Sequence, residues 1–243
     1  MVVADVSGLS KSYKNKKVLD NISFQLNKGD IVGYLGKNGS GKTTTINILV
    51  GLLGYDAGNI SILGYDISKD YNSLYGKLGI MFDENGLYNK MTVKQNLDYF
   101  VKLYKVDLRR NKSFVSELYK EMDYESIKNI QVSKLSKGMK RMVALVRTLM
   151  MWPELLILDE PFDGIDIENR CSFINLIKKY YQAKKPTIIL TSHVMADIEE
   201  LANRIIILKD SRIILDQSIE DFKAQGADDA KSLSEIYLSK ICG

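Results

Sequence analysis

Between Gly36 and Thr43 the chain reads GKNGSGKT, eight residues that fit the pattern G-x-x-x-x-G-K-[ST]. Gly36, Gly39 and Gly41 free the backbone to turn inward, so that its N–H groups point at phosphate oxygens. Lys42 is placed to reach the outer phosphates, and the Thr43 hydroxyl to join a Mg²⁺ shell. With Lys37, Asn38, Ser40 and the following Thr44, these residues form the candidate nucleotide-binding set. The plainer reading is a Gly-rich turn before a helix, and the flanks weigh against it. Ile31 to Leu35 is an apolar run of strand length, while Ile46, Ile48, Leu49, Leu52 and Leu53 have the spacing of a buried helix face. Strand, glycine loop and helix form the setting a phosphate cradle requires.

A second apolar run, Leu155-Leu156-Ile157-Leu158, ends in Asp159-Glu160-Pro161. A buried strand that delivers carboxylates to its C-terminal edge, beside a phosphate loop, supplies what phosphoryl transfer needs. Asp159 suits a Mg²⁺ ligand, and Glu160 suits a base for the attacking water. Taken alone, the stretch would be a strand meeting solvent at polar residues. The only histidine, His193, follows Thr191-Ser192 at the end of the run TIIL; a lone histidine is ordinarily incidental.

The elements that must position these groups alternate in type. Residues 2–9 and 18–26 are rich in β-formers around the polar stretch KSYKNKK, which predicts an antiparallel hairpin with Tyr13 in its turn. A short strand is expected at 60–63. From Thr92, a plausible N-cap, the pattern turns helical: Val93, Leu97, Phe100, Val101 and Tyr104 share one face. Phe114, Val115, Leu118, Tyr119 and Met122 repeat it. Ser136 is the next N-cap candidate, before an amphipathic helix that ends at Trp152-Pro153. Parallel strands are expected at 155–158, 187–190 and 204–208, with a helix over about 168–182. This alternation is the doubly wound α/β pattern. The long interval between Thr43 and Asp159 exceeds one crossover, so residues 88–150 are expected to form an inserted helical subdomain. Residues 1–215 are then expected to form one domain, and 216–243 a short helical tail.

Composition narrows the class. Over 243 residues, 34 basic and 30 acidic side chains leave a formal charge of +4 without a like-charge block, so nucleic-acid binding is not signalled. Cys171 and Cys242 show neither metal spacing nor a disulfide framework, which fits a reducing compartment. The N-terminus has no basic region followed by an apolar core. The longest aliphatic runs fall far short of the roughly 20 residues that span a bilayer. A membrane role would need a partner to supply the span.

Leu135-Ser136-Lys137-Gly138-Met139-Lys140-Arg141 carries the most specific signal. Ser136 and the Gly138 amide stand at a helix N-terminus, an anion site with no evident ligand in its own chain. The stretch resembles the LSGGQ signature of the ATP-binding cassette family, the nucleotide-binding subunits of ATP-driven transporters. Over residues 2–215 the resemblance implies a P-loop NTPase core with an N-terminal antiparallel β subdomain and the inserted helices. It implies ATP and Mg²⁺ as ligands, and a head-to-tail pair, homodimer or heterodimer, in which Ser136 and Gly138 close on the other subunit's γ-phosphate. Asp166, in Phe162-Asp163-Gly164-Ile165-Asp166, would link the two sites. His193 falls at the switch position that contacts the γ-phosphate and orients Glu160 and water, and Tyr13 matches the aromatic residue that stacks on adenine. A transmembrane permease subunit is implied as partner, and a cytoplasmic location on the inner face of the membrane. Asp83 replaces the family's usual Gln and becomes a candidate cation ligand. Lys137 and Met139 replace the usual Gly and Gln, and LSKGMKR resembles the export-type branch. Three alternatives stay open: a cassette ATPase acting on nucleic acid or ribosomes, a P-loop small-molecule kinase, and a module that binds ATP without turnover.

Overall fold

The structure is a computed structural model that describes residues 1–82, 86–109, 111–224 and 232–242. Asp83 lies outside the described residues. In chain order the strands are β1 (Val2–Tyr13), β2 (Lys16–Asn27), β3 (Ile31–Leu35), β4 (Ala57–Ile62), β5 (Tyr65–Asp66), β6 (Leu78–Met81), β7 (Leu155–Leu158), β8 (Thr187–Ser192), β9 (Arg204–Lys209) and β10 (Arg212–Ser218). The helices are α1 (Lys42–Leu49), α2 (Val93–Leu103), α3 (Lys112–Glu121), α4 (Tyr124–Ile127), α5 (Lys137–Met150), α6 (Ile167–Lys184), α7 (Met195–Glu199), α8 (Ile219–Ala224) and α9 (Leu233–Cys242). The described residues divide into two compact units, one drawn from Met1–Tyr75, Leu155–Glu160 and Pro186–Gly243, the other from Gly76–Glu154 and Pro161–Lys185.

The first unit holds an antiparallel sheet in the order β2-β1-β4-β5. The β1–β2 ladder runs from Val2↔Asn27 to Tyr13↔Lys16. The expected seven-residue turn is therefore only Lys14-Asn15, with Lys14 at φ 52°, and Tyr13 ends a strand. Pairing there uses backbone groups between exposed polar side chains, so hydropathy gives no sign of it.

Its other strands run β10-β9-β3-β8-β7, with β9, β3, β8 and β7 parallel and β10 antiparallel to β9. Every residue of β3, β7 and β8 is buried. Parallel strands covered on both faces read as continuous apolar runs, which is why these three were legible. Gly33 in β3 allows α7 to lie close: a Cβ there would sit 2.2 Å from Ile198 Cγ2.

The second unit is mainly helical. Thr92 caps α2 in a reciprocal capping box, with the Gln95 amide donating to Thr92 Oγ1 at 3.1 Å and the Thr92 amide to Gln95 Oε1 at 2.9 Å. The helix α5 ends at Met150, and two residues on, Trp152 at φ 56° turns the chain into Pro153. Trp152, Phe114 and Tyr180 pack ring against ring, and the Tyr180 hydroxyl donates to the Pro153 carbonyl at 2.6 Å. The strand β6 was not expected; its four residues LGIM include Gly79, where a Cβ would meet Pro153 Cγ at 2.5 Å. Among the described residues, no helix is long and apolar enough to cross a membrane.

Candidate functional site

Parallel strands bring the charged groups of the first unit to one sheet edge. Leu35 of β3 pairs with Ser192 of β8, and Leu158 of β7 with Leu190. Gly36, Asp159 and His193 thus leave the same carboxyl edge, where open parallel sheets bind ligands. The loop's glycines are needed for two different reasons. Gly39 and Gly41 are left-handed, with φ of 79° and 112°. Gly36 is required by close approach, since a Cβ would lie 2.5 Å from Ser40 Oγ and 2.6 Å from the Leu208 carbonyl oxygen. Buried Lys42 folds over the loop: its Nζ donates to the Gly36 carbonyl at 2.8 Å and lies 3.4 Å from Glu160 Oε1.

Asp159 is 3% exposed and accepts from Thr191 Oγ1 at 2.6 Å and from the Thr43 side chain. Burial pushes its carboxyl above the usual carboxylate range; the Thr191 bond opposes that shift, and the neighbouring Glu160 charge adds to it. Glu160 has a left-handed backbone, φ 44°, and its amide donates to Thr191 Oγ1 at 2.8 Å. Its Oε2 lies 3.1 Å from His193 Nδ1, so an imidazole bonded to that carboxylate carries its proton on Nδ1. Ser192 Oγ donates to buried Asp197 at 3.0 Å and accepts from the Val194 amide at 2.9 Å, which fixes the turn through His193. Tyr13, exposed at the hairpin tip, pairs with Lys16; Lys16, Lys37, Asn38, Gly39, Ser40 and Lys209 line a cavity of about 300 Å³.

In the second unit, Ser136 caps α5 by accepting from the Met139 amide at 3.1 Å. A Cβ on buried Gly138 would lie 3.3 Å from Asn169 Nδ2. That nitrogen donates to Asp166 Oδ2 at 2.7 Å, while the Asn169 amide donates to Oδ1 at 2.9 Å, so Asp166 caps α6. Ser136, Gly138 and Asp166 are therefore joined through Asn169 and the ends of two helices.

A family model described as ABC transporter matches residues 19–163, more than half of the chain. The chain belongs to the ABC transporter family. The ABC transporter ATP-binding protein NatA of Bacillus subtilis (strain 168) is 32% identical over 238 residues, covering 96% of this chain and 95% of that protein. The bacitracin transport ATP-binding protein BcrA of Bacillus licheniformis is 31% identical over 212 residues, 87% of this chain and 68% of that one. A solved structure described as an ATP-binding subunit of an ABC transporter superposes with a TM-score of 0.87 at 27% identity, covering 98% of both chains. The chain is an ATP-binding subunit of this ABC family, with its P-loop NTPase fold, and nothing in these likenesses favours the kinase or nucleic-acid alternative.

In this ABC subunit, two groups of the sequence-derived residues are each internally connected. Gly36 to Thr43, Asp159, Glu160 and His193 form one, and Ser136, Gly138 and Asp166 the other. Thr44, half-buried, follows the loop on α1. Sequence reasoning gave no role to Thr191, Asn169 or Asp197. Their signal was weak, a polar residue at a strand end or in a helix's first turn.

Proposed function

We propose that this subunit hydrolyses ATP with Glu160 as general base, and that hydrolysis is coupled to transport through a membrane permease. The observation that carries this is the Glu160 carboxylate, held between Lys42 at 3.4 Å and His193 at 3.1 Å beside the phosphate loop. Glu160 takes a proton from the attacking water, and His193 orients that carboxylate. Lys42 exchanges its own loop carbonyls for phosphate oxygens, and Tyr13 stacks on adenine.

Thr43 and Asp159 suit a Mg²⁺ ion. Among the described residues no group of three or more His, Cys, Asp or Glu could hold a metal alone. A Mg²⁺ ion in such a site is bound through one or two protein oxygens, with waters and substrate phosphates completing its shell. When bound, Mg²⁺ would neutralise charge on the phosphates. Burial of Asp159 makes its charge costly without a cation, which supports the assignment. Asp83 would be a further ligand through its carboxylate.

We infer that a second copy of the chain supplies Ser136 and Gly138 to the terminal phosphate, with Asp166 linking the two sites. Each chain carries both residue groups, so a symmetric pair completes two sites. The helical segment 88–150 would receive a cytoplasmic helix of the permease; Tyr88, Tyr99 and Leu103 are exposed there. With such a permease the subunit would sit peripherally on the cytoplasmic face, and LSKGMKR supports an export-type permease. Glu160→Gln should lower turnover by roughly 10²–10⁴-fold with ATP binding retained, read by phosphate release and nucleotide titration. Hydrolysis at the wild-type rate would overturn the role of Glu160.

A further inference from the structure

Lys137 stands where the signature usually has glycine, and its side chain makes contacts glycine cannot. Its Nζ lies 2.7 Å from Asp163 Oδ2, and Arg141, one turn along α5, brings Nη2 to 3.8 Å from the same oxygen. Arg141 is fully buried, whereas Lys137 and Asp163 are each about half exposed. Next to Asp163 is Gly164, at φ 67°, where a Cβ would meet Lys137 Nζ at 2.5 Å and its Cδ and Cε at 2.7 Å. The lysine stem therefore lies against the loop backbone, where a Cβ on residue 164 would have to displace it and where the left-handed φ favours glycine. The next signature residue, Gly138, backs onto Asn169, which donates to Asp166. Consecutive signature residues thus meet Asp163 directly, through Lys137, and Asp166 by way of Asn169.

We propose that Lys137 is a positioning residue that straps the 162–166 loop to the signature helix, so that Ser136, Gly138 and Asp166 reach a second copy as one preset surface. A half-exposed ion pair alone is worth little. Here the buried Arg141 guanidinium faces the same carboxylate, and the lysine stem packs on Gly164. Ordering a loop before association removes that entropic cost from closure. The role in closure rests on the dimer proposed above; the strap does not.

Two measurements separate these. In the nucleotide-free full chain, hydrogen exchange is followed at the Ile165 amide, which donates to the Phe162 carbonyl at 3.2 Å. Lys137→Met keeps the stem and should exchange about two- to fivefold faster, while Lys137→Arg stays near wild type. In a Glu160→Gln background, Lys137→Met and Asp163→Asn should each raise the Mg·ATP concentration for half-maximal dimerisation, Asp163→Asn by at least as much because it also takes the carboxylate from Arg141. The double variant should add nothing beyond Asp163→Asn alone. Unchanged exchange in Lys137→Met overturns the strap. Faster exchange with an unchanged dimerisation curve overturns the positioning role. If ATP fails to pair the chains even with Lys137 intact, while the exchange difference persists, the dimer reading falls and the strap stands.

Discussion

Thr191 joins two carboxylate residues at the carboxyl edge of the parallel strands through one hydroxyl, donating to Asp159 at 2.6 Å and accepting from the Glu160 amide at 2.8 Å. The second bond holds Glu160 in a left-handed backbone that a non-glycine residue adopts only under constraint. Thr191→Val keeps the shape and removes the hydroxyl. We expect a stability loss of about 1–3 kcal/mol in denaturant melts, the cost of leaving a buried polar group without its bond, together with reduced turnover. Unchanged stability would mean the Asp159 contact is dispensable. Asp159 and Glu160 were legible because carboxylates that end an apolar run stand out chemically, whereas His193 was singled out only by the family resemblance. Thr191 was not, since threonine at a strand end reads as a β-former. Asn169 was equally silent: its contact with Gly138 depends on two distant helix termini meeting.

At the scale of elements, strands and helices were legible where burial repeats. The runs of β3, β7 and β8 are buried throughout, and α2 and α5 show apolar faces with capping residues. The outer half of the β1–β2 hairpin and β6 escaped notice, one because polar strands pair through backbone, the other because it is four residues with a glycine. Removing the α2 cap with Thr92→Ala should cost about 1 kcal/mol, lowering Tm by about 2–4 °C; an unchanged Tm would show that tertiary packing alone fixes that helix. Asp56 ties β1 to the start of β4. The Ser12 amide, at 2.7 Å, and then Lys11 hold its carboxyl below the usual range. Hydrogen bonds to Ser68 and Lys69 take Asp66 down to about 2. A carboxyl whose pKa is lowered by folding stabilises above its unfolded value and loses that contribution as pH falls through the folded one. Thermal stability should therefore decline below roughly pH 4, and Asp56→Asn should be less stable at neutral pH with a shallower acid decline. Parallel pH profiles for the two proteins would contradict this.

At the scale of the molecule, one compact unit carries Gly36 to Thr43 with Asp159, Glu160 and His193, and the other carries Ser136, Gly138 and Asp166. The family membership makes the chain an ATP-binding subunit. Completion of each site by a second copy is the central proposal, and the light-scattering mass of the Glu160→Gln protein tests it most directly. With Mg·ATP the mass should be twice the 27.5 kDa of one chain, returning to a single chain when Ser136→Arg is added. A nucleotide-loaded species that stays at the mass of one chain, or a dimer indifferent to Ser136→Arg, would contradict it.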